Sequence, residues 1–492
     1  MDRIMDRAAT RITGGARWQR SLPSLSRWGL LRLYRFDDLS LWLDEGFTVY
    51  FSRLPWFDVL GFGGEYDPHP PLYYVLVKLV ALAVPDLQAG RLLSVLTGTA
   101  TILVLYFIVA RLMHPPAGII AALLLAVSPL HYWYSQEARQ YAPMTLAIGI
   151  AYLALIEFNR RPGWGWATGA GFSALAAIYI DYSAIFALVP AVGAGLLIIY
   201  RKRREAAPLV AAGIGALVGF LPWLPQARAS AEREGADRAW YLGVSLDRVQ
   251  NALLSIAGLH GRGLYYWGDP APWERWPDLR LLLFGLLLAI SAGGLIALGR
   301  RSLLSVVVVA GLAGGTVLVA ACLSLLSPAF AERTILPATL GWSALVACLP
   351  FATSHRVGRL AGVLVVIAWF GLSLVTLDAV RDGDKQHWEA LAADADRAAD
   401  YGWPVVMAPA VSETLIKLYA PELRNVEQLT MGGYGAAAWR VECGRRSQGA
   451  LVRSHRVSRE QFRTRSAESR GVRPGDRKPP PGPPSARIAR ST

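Results

Sequence analysis

Two short stretches hold the residues best suited to chemistry. Ser40–Tyr50 reads SLWLDEGFTVY and Glu65–Tyr74 reads EYDPHPPLYY. Asp44 and Glu45 stand between Leu, Trp and Phe, at a boundary where a carboxylate is partly desolvated and becomes a stronger base. The same pair would also suit a solvated loop, and the residue types alone leave both readings open. Asp67 and His69 follow in a backbone stiffened by Pro68, Pro70 and Pro71, because each ring fixes its own φ. Acids beside an imidazole could hold a divalent cation, but their spacing matches no defined metal motif. A lone His69 is more often a structural hydrogen-bonding group.

Two further stretches pair an acid with an arginine. SPLHYWYSQEARQYAP (128–143) presents Gln136, Glu137 and Arg139, and SPAFAERTILPA (327–338) presents Glu332 and Arg333. The planar fork of an Arg binds phosphate through two parallel hydrogen bonds. Taken alone, Arg139 could as well pair with Glu137 or lie among lipid headgroups. The stretch 225–280 adds WYLG and GLYYWGDPAPWERW. Their aromatic faces suit stacking on sugar rings or covering lipid chains, and an interfacial aromatic belt accounts for them equally well.

The elements that position these groups are membrane spans. The 492 residues are 53 % hydrophobic and 17 % charged, with a mean hydropathy of +0.33, whereas a soluble domain carries about 25 % charged residues. Apolar segments long enough to cross a bilayer recur, so the chain is an all-α polytopic membrane protein. Ten spans are expected: 92–110, 117–134, 140–158, 164–180, 183–200, 207–224, 281–299, 303–326, 335–352 and 358–378. NRRP (159–162), RKRRE (201–205), GRR (299–301) and SHRVGR (354–359) follow every second span and mark the cytoplasmic side. The acid- and Arg-bearing loops then share the external side. No span carries Asp, Glu, Lys or Arg in its middle third. Coupled transporters place ionisable groups near the midplane, so this distribution favours chemistry at the membrane surface.

PLYYVLVKLVALAV (71–84) is short for a span and carries Lys78 at its centre, which costs about 3 kcal/mol at mid-bilayer, so an interfacial helix is expected there. The expected organisation is a basic N-terminal segment (1–35), a first external loop (36–91), the bundle (92–378), a small external appendage (379–440) and a tail (441–492). In the appendage a strand is expected at 404–409 and a helix at 413–420. The tail, too poor in apolar residues to fold, holds ten of the fourteen net positive charges in residues 443–492. That location argues against nucleic-acid binding by the body. Cys322, Cys348 and Cys443 lack metal-ligand spacing and read as filler. Residues 1–30 lack the continuous apolar core of a secretory signal.

In this order, LRLYRFDDLSLWLDEGFTV, DPHPPLYYVLVKL, RLLSVLTG, SPLHYWYSQEARQYA and SPAFAERTILPA resemble the integral-membrane glycosyltransferases of the GT-C fold. The similarity is to bacterial relatives of the dolichyl-phosphate-mannose protein mannosyltransferases (glycosyltransferase family 39) and of the aminoarabinose transferase, over about 30–440. A first span, expected in that family before LRLYRF, is absent from residues 1–35, and the tail matches nothing in it. The resemblance implies a GT-C type transmembrane helix bundle with external loops and a small C-terminal appendage, in a bacterial inner membrane. It also implies transfer of a sugar from a polyprenyl-phosphate carrier to a glycan, lipid or protein acceptor on the external face. On this reading Asp44 is the base with Glu45 supporting it, Asp67 and His69 line the cleft, and Arg139 neutralises the carrier phosphate. Glu137 orients Arg139 or helps bind a divalent cation, and Arg333 is a second phosphate ligand. A non-catalytic lipid-glycan transporter or flippase, and an inactive truncated relative, are the alternatives.

Overall fold

The computed structural model describes residues 30–34, 36, 41–61, 69–237, 244–259, 277–326, 329–381, 392–393, 405–407, 426–428, 439–446 and 449–456. The chain divides into two compact units, residues 1–38 with 51–384 and residues 39–50 with 385–492.

The first unit is helical. After a 3-10 turn at Leu30–Leu33 and the last residues of α1 (Leu43–Arg53), it contains α2 (Trp56–Val59), α3 (Leu72–Val80), α4 (Asp86–Leu112), α5 (Pro115–Ala126), α6 (Pro129–Tyr134), α7 (Tyr141–Arg160) and α8 (Trp164–Ile180). These are followed by α9 (Ile185–Arg201), α10 (Ala207–Phe220), α11 (Leu224–Asp237), α12 (Leu246–Ile256), α13 (Pro277–Gly299), α14 (Leu303–Ala310), α15 (Thr316–Ser324), α16 (Ala338–Cys348) and α17 (Arg356–Arg381). Among the described residues, seven helical stretches are long and apolar enough to span: 86–112, 141–160, 182–201, 207–230, 281–299, 303–324 and 356–378. The chain is therefore an integral multi-pass membrane protein.

Two of the ten expected spans, 117–134 and 335–352, hold shorter helices. The stretch 117–134 is broken by Pro129, which lacks an N–H and forces Ser128 to φ −63°, ψ 117°, so α5 stops at twelve residues and α6 restarts in a new direction. The α8 helix coincides with the expected 164–180, whereas α16 with its following turn covers only Ala338–Phe351. Every residue of α16 is buried, so it sits inside the bundle rather than against lipid. The nine-residue α3 is far below the ~20 residues a crossing needs. Its Lys78 does not face hydrocarbon. The ammonium donates to the Ser52 and Leu54 carbonyls at 3.0 and 2.6 Å, at the C-terminal end of α1, and lies 5.2 Å from the Trp56 ring centre.

Helices α4 and α7 run in the same direction and are tied together at two levels. At one end the Ser94 hydroxyl of α4 donates to the Glu137 carbonyl at 2.6 Å, just ahead of α7. At the basic-loop end Arg111 of α4 binds the buried Glu157 of α7, which Arg160 also contacts at 3.2 Å. The helix from Ser94 to Arg111 rises about 25 Å, close to the ~30 Å hydrocarbon thickness. Of the spans, α7 is the most enclosed, with 83 % of its apolar window buried, whereas 207–230 is 6 % buried and faces lipid.

A π-helical turn, Gly311–Gly315, joins α14 to α15. Glycines let it approach Pro190 of α9, where a Cβ on Gly311 or Gly315 would come within 3.0 Å of the proline ring. The Tyr152 hydroxyl donates to the Ala187 carbonyl at 2.9 Å beside the same proline. Gly341 of α16 packs against the backbone of Ala313, and a Cβ there would sit 2.3 Å from its nitrogen.

The second unit contains the Leu43–Tyr50 part of α1 and four strands. Within the expected appendage, Val405–Met407 (β1) pairs in parallel with Val426–Gln428 (β2), while the expected helix at 413–420 lies outside the described residues. Trp439–Arg446 (β3) and Gly449–Arg456 (β4) form an antiparallel pair with Glu442 opposite Arg453. Cross-strand backbone hydrogen bonds of this kind require no packed core.

Candidate active site

The loop Ser135–Gln140, between α6 and α7, brings the first unit's candidate residues together. It is seated on α4 through the RLLSVLTG stretch. Ser94 Oγ reaches the Glu137 carbonyl at 2.6 Å and the Arg139 carbonyl at 3.3 Å. Gly98 admits Ser135, since a Cβ there would fall 2.2 Å from the serine hydroxyl. The motif is therefore a docking surface for SQEARQY. Replacement of Ser94 by Ala leaves a buried carbonyl short of its donor, at a cost of about 1–3 kcal/mol. A lowered unfolding midpoint in denaturant, with the slope unchanged, is the expected result.

Arg139, 5 % exposed, donates from Nη2 to Nε2 of His69 at 2.8 Å. His69 accepts with that nitrogen, so its tautomer carries hydrogen on Nδ1. The two residues are 70 positions apart in sequence. Glu137, 2 % exposed, accepts the indole N–H of Trp133 at 2.8 Å, and its backbone carbonyl accepts from the Arg139 N–H at 2.7 Å. All of this immediately precedes the N-terminus of α7, where partial positive charge favours an anion.

The second acid–arginine pair converges on the same place. Arg333 lies 5.9 Å from the ring centre of Tyr141, the first residue of α7. Glu332 accepts from the Ser255 hydroxyl of α12 at 2.7 Å. Tyr134 packs edge-on against Tyr141 with ring centres 5.2 Å apart. Burial pushes the Tyr134 hydroxyl well above its usual range, and Glu137 and Glu332 push it in the same direction while Arg333 opposes them. Two carboxylates and an arginine from different loops thus surround one tyrosine.

In the second unit, Asp44 and Glu45 occupy the first turn of α1. Asp44 is half-buried. Glu45 is fully buried, and its carboxylate accepts the Trp42 N–H at 3.2 Å, half of a capping box. Asp67 lies outside the described residues. Among the described residues no three His, Cys, Asp or Glu side chains form a group able to hold a metal ion.

Reading the sequence left several contributors without a role. Ser94 and Gly98 lay in a stretch noted only for its resemblance, and Tyr134 resembled an aromatic-belt residue. Arg32, His131 and Arg91 also escaped it. Arg32 is fully buried, donates from Nη1 to the Ala126 carbonyl and from Nη2 to the Leu125 carbonyl at 3.3 Å each, and meets Nδ1 of His131 at 2.8 Å. Gln136 returns the connection by donating its amide to the Arg32 and Tyr34 carbonyls at 2.9 and 2.8 Å. Arg91, nearly fully buried, donates to the Phe36 carbonyl at 3.3 Å. The available signal was an arginine within an apolar stretch, a costly placement that implies partners.

The family model described as dolichyl-phosphate-mannose-protein mannosyltransferase matches residues 68–225, about a third of the chain, including His69, Glu137 and Arg139. No curated protein matches. Among solved structures, ArnT from Cupriavidus metallidurans in the apo state aligns with a TM-score of 0.53 at 14 % identity, covering 84 % of this chain and 86 % of that one. ArnT bound to undecaprenyl phosphate aligns at 0.52 and 13 %, with the same coverage. The archaeal oligosaccharyltransferase AglB from Archaeoglobus fulgidus aligns at 0.49 and 13 %, covering 84 % of this chain and 64 % of that one. The chain has the GT-C fold of membrane glycosyltransferases and resembles the mannosyltransferase and ArnT proteins.

Proposed function

We propose that this protein moves a sugar from a polyprenyl-phosphate carrier to an acceptor on the external face of a bacterial inner membrane. The observation that carries the reading is the convergence of Arg139, His69 and Glu137 at the start of α7, in a fold that one solved relative displays with undecaprenyl phosphate bound. The loops holding these residues lie opposite the basic loops, which supports an external site.

Asp44 takes the proton from the acceptor hydroxyl as the oxygen attacks the anomeric carbon. The bond from that carbon to the phosphate oxygen breaks, and the carrier phosphate departs with the bonding pair. One displacement of this kind inverts the anomeric centre. Arg139 and the α7 N-terminus stabilise the charge growing on the phosphate, a role that preformed donors perform efficiently in a partly dry site. Arg333 is the second cation for that phosphate, and Asp67 and His69 line the cleft. Glu45 supports Asp44 by capping the helix turn that carries it. Asp67 and Glu137 are the carboxylates that would hold a divalent cation, which would supply further neutralisation of the phosphate charge.

Proteoliposomes carrying short-chain polyprenyl-phosphate sugars, tested as a panel in the outer leaflet, check this reading. Release of polyprenyl phosphate together with a glycosylated acceptor is expected. Movement of intact donor between leaflets without cleavage would instead make the protein a lipid-glycan transporter. Neither cleavage nor movement would mark an inactive relative.

A further inference from the structure

We propose that Arg32 is a positioning residue of the candidate site, fixing the segment Leu30–Phe36 to the α5–α6 corner through neutral His131, and that protonation of His131 releases this segment. The consequence for turnover rests on the proposed transfer reaction; the clamp itself rests only on the first unit's geometry.

The Arg32 side chain is completely buried, and among the described residues no carboxylate forms an ion pair with it. A buried cation without a counter-ion is costly and persists only where other groups offset it. The offsetting groups are the carbonyls of Ala126 and of Leu125, in the last turn of α5, the latter also accepting the Ser128 N–H at 3.2 Å with its other lone pair. They also carry the negative end of the helix dipole. The third acceptor is Nδ1 of His131, which can receive a hydrogen bond only while the imidazole is neutral.

The clamp closes from both sides. Arg32 reaches from the segment to α5 and α6, and Gln136 reaches back from the end of α6 to the segment's own Arg32 and Tyr34 carbonyls. Arg91 holds Phe36, eight residues ahead of Asp44 in the chain. Three residues beyond Gln136 stands Arg139. One short stretch, His131–Arg139, therefore fixes both the segment leading to the proposed base and the arginine proposed for the phosphate.

His131 makes the clamp pH-sensitive. Burial holds its imidazole well below the usual range, and Arg32 pushes it further in that direction. Helices α4, α5, α7, α12 and α17 pack on α6, yet Arg32 is the one charged group acting on His131 among the described residues, with the Ser135 hydroxyl 3.5 Å from the same nitrogen. Protonation would abolish the acceptor and set a second cation against the first. Burial brings the Arg32 guanidinium down to about 10, so it stays charged at neutral pH, where His131 is neutral, and throughout the more acidic range in which His131 takes up a proton.

The test is hydrogen exchange on the full-length protein in lipid nanodiscs, followed at the amides of 30–36 across pH, with phosphate release measured in parallel. Arg32→Met is expected to raise exchange there at least tenfold at neutral pH while α4 and α7 keep their protection. Arg32→Lys, which keeps the charge but not the planar fork, is expected to fall between Met and the parent. Turnover should drop with little change in KM for the carrier. The parent should lose protection of 30–36 as the pH falls, and His131→Asn should retain it, because the Asn oxygen replaces the Nδ1 acceptor and does not titrate. Unchanged exchange in Arg32→Met overturns the clamp. An acid transition identical in His131→Asn and the parent overturns the role of His131. If the parent releases no phosphate, the transfer reading fails, and the exchange data still decide the clamp.

Discussion

Asn in place of Asp44 is expected to lower transfer by about 10²–10⁴, the range that a positioned general base contributes, while leaving affinity for the carrier within a few-fold. An amide retains the shape and one acceptor oxygen of the carboxylate but cannot take a proton. The loss should therefore appear in kcat, with KM for the donor little changed, as for a group whose contribution is made in the transition state. Glu45 supplies the internal comparison. Its carboxylate caps α1 through the Trp42 N–H, so Glu45→Ala is expected to cost about 1 kcal/mol of stability, with a much smaller change in kcat. The two neighbouring acids are thereby assigned different tasks, and purified variants assayed for phosphate release and thermal stability separate them. Full turnover in Asp44→Asn would remove it as the base.

Replacement of Arg139 is expected to have the other large effect. Loss of one preformed donor to a developing anion costs about 10²–10³ in rate, so Arg139→Ala should fall in that range or below it, with weakened binding of polyprenyl phosphate. Arg139→Lys is expected to recover only part, since an ammonium cannot reproduce two parallel hydrogen bonds. The same change removes the donor to His69 Nε2. His69→Ala should therefore resemble Arg139→Lys in direction, with a smaller loss, because the guanidinium remains but its orientation does not. Titration of each variant with a fluorescent polyprenyl phosphate reads binding apart from turnover. Unaltered binding in Arg139→Ala would exclude it as the phosphate ligand.

The family resemblance gave Asp44 and Arg139 their roles, and the fold showed what Arg139 touches. The membrane character, the alternation of basic loops and the position of the acid and arginine stretches at span ends were legible in the sequence. Hydrocarbon length and the cost of buried charge act on each segment separately, so composition and spacing record them. The break at Ser128–Pro129 was legible too, as a proline in an apolar run, although span length alone argued for one continuous helix. Strands β3 and β4 went unread because backbone pairing leaves a weak compositional trace.

Contacts between distant stretches were invisible until the chain was folded. No periodicity relates His69 to Arg139, Ser94 to Glu137, or Arg32 to the end of α5, because such pairs are selected by the packing of helices far apart in sequence. Arg32 looked like one more cation in a basic N-terminal region and is instead buried with a neutral histidine. The sequence determined that this protein lies in a membrane and keeps its charged chemistry at the ends of its spans. Only the tertiary structure decided which of those charges meet, since hydrogen bonds act over about 3 Å and depend on where α4, α6 and α7 come to rest.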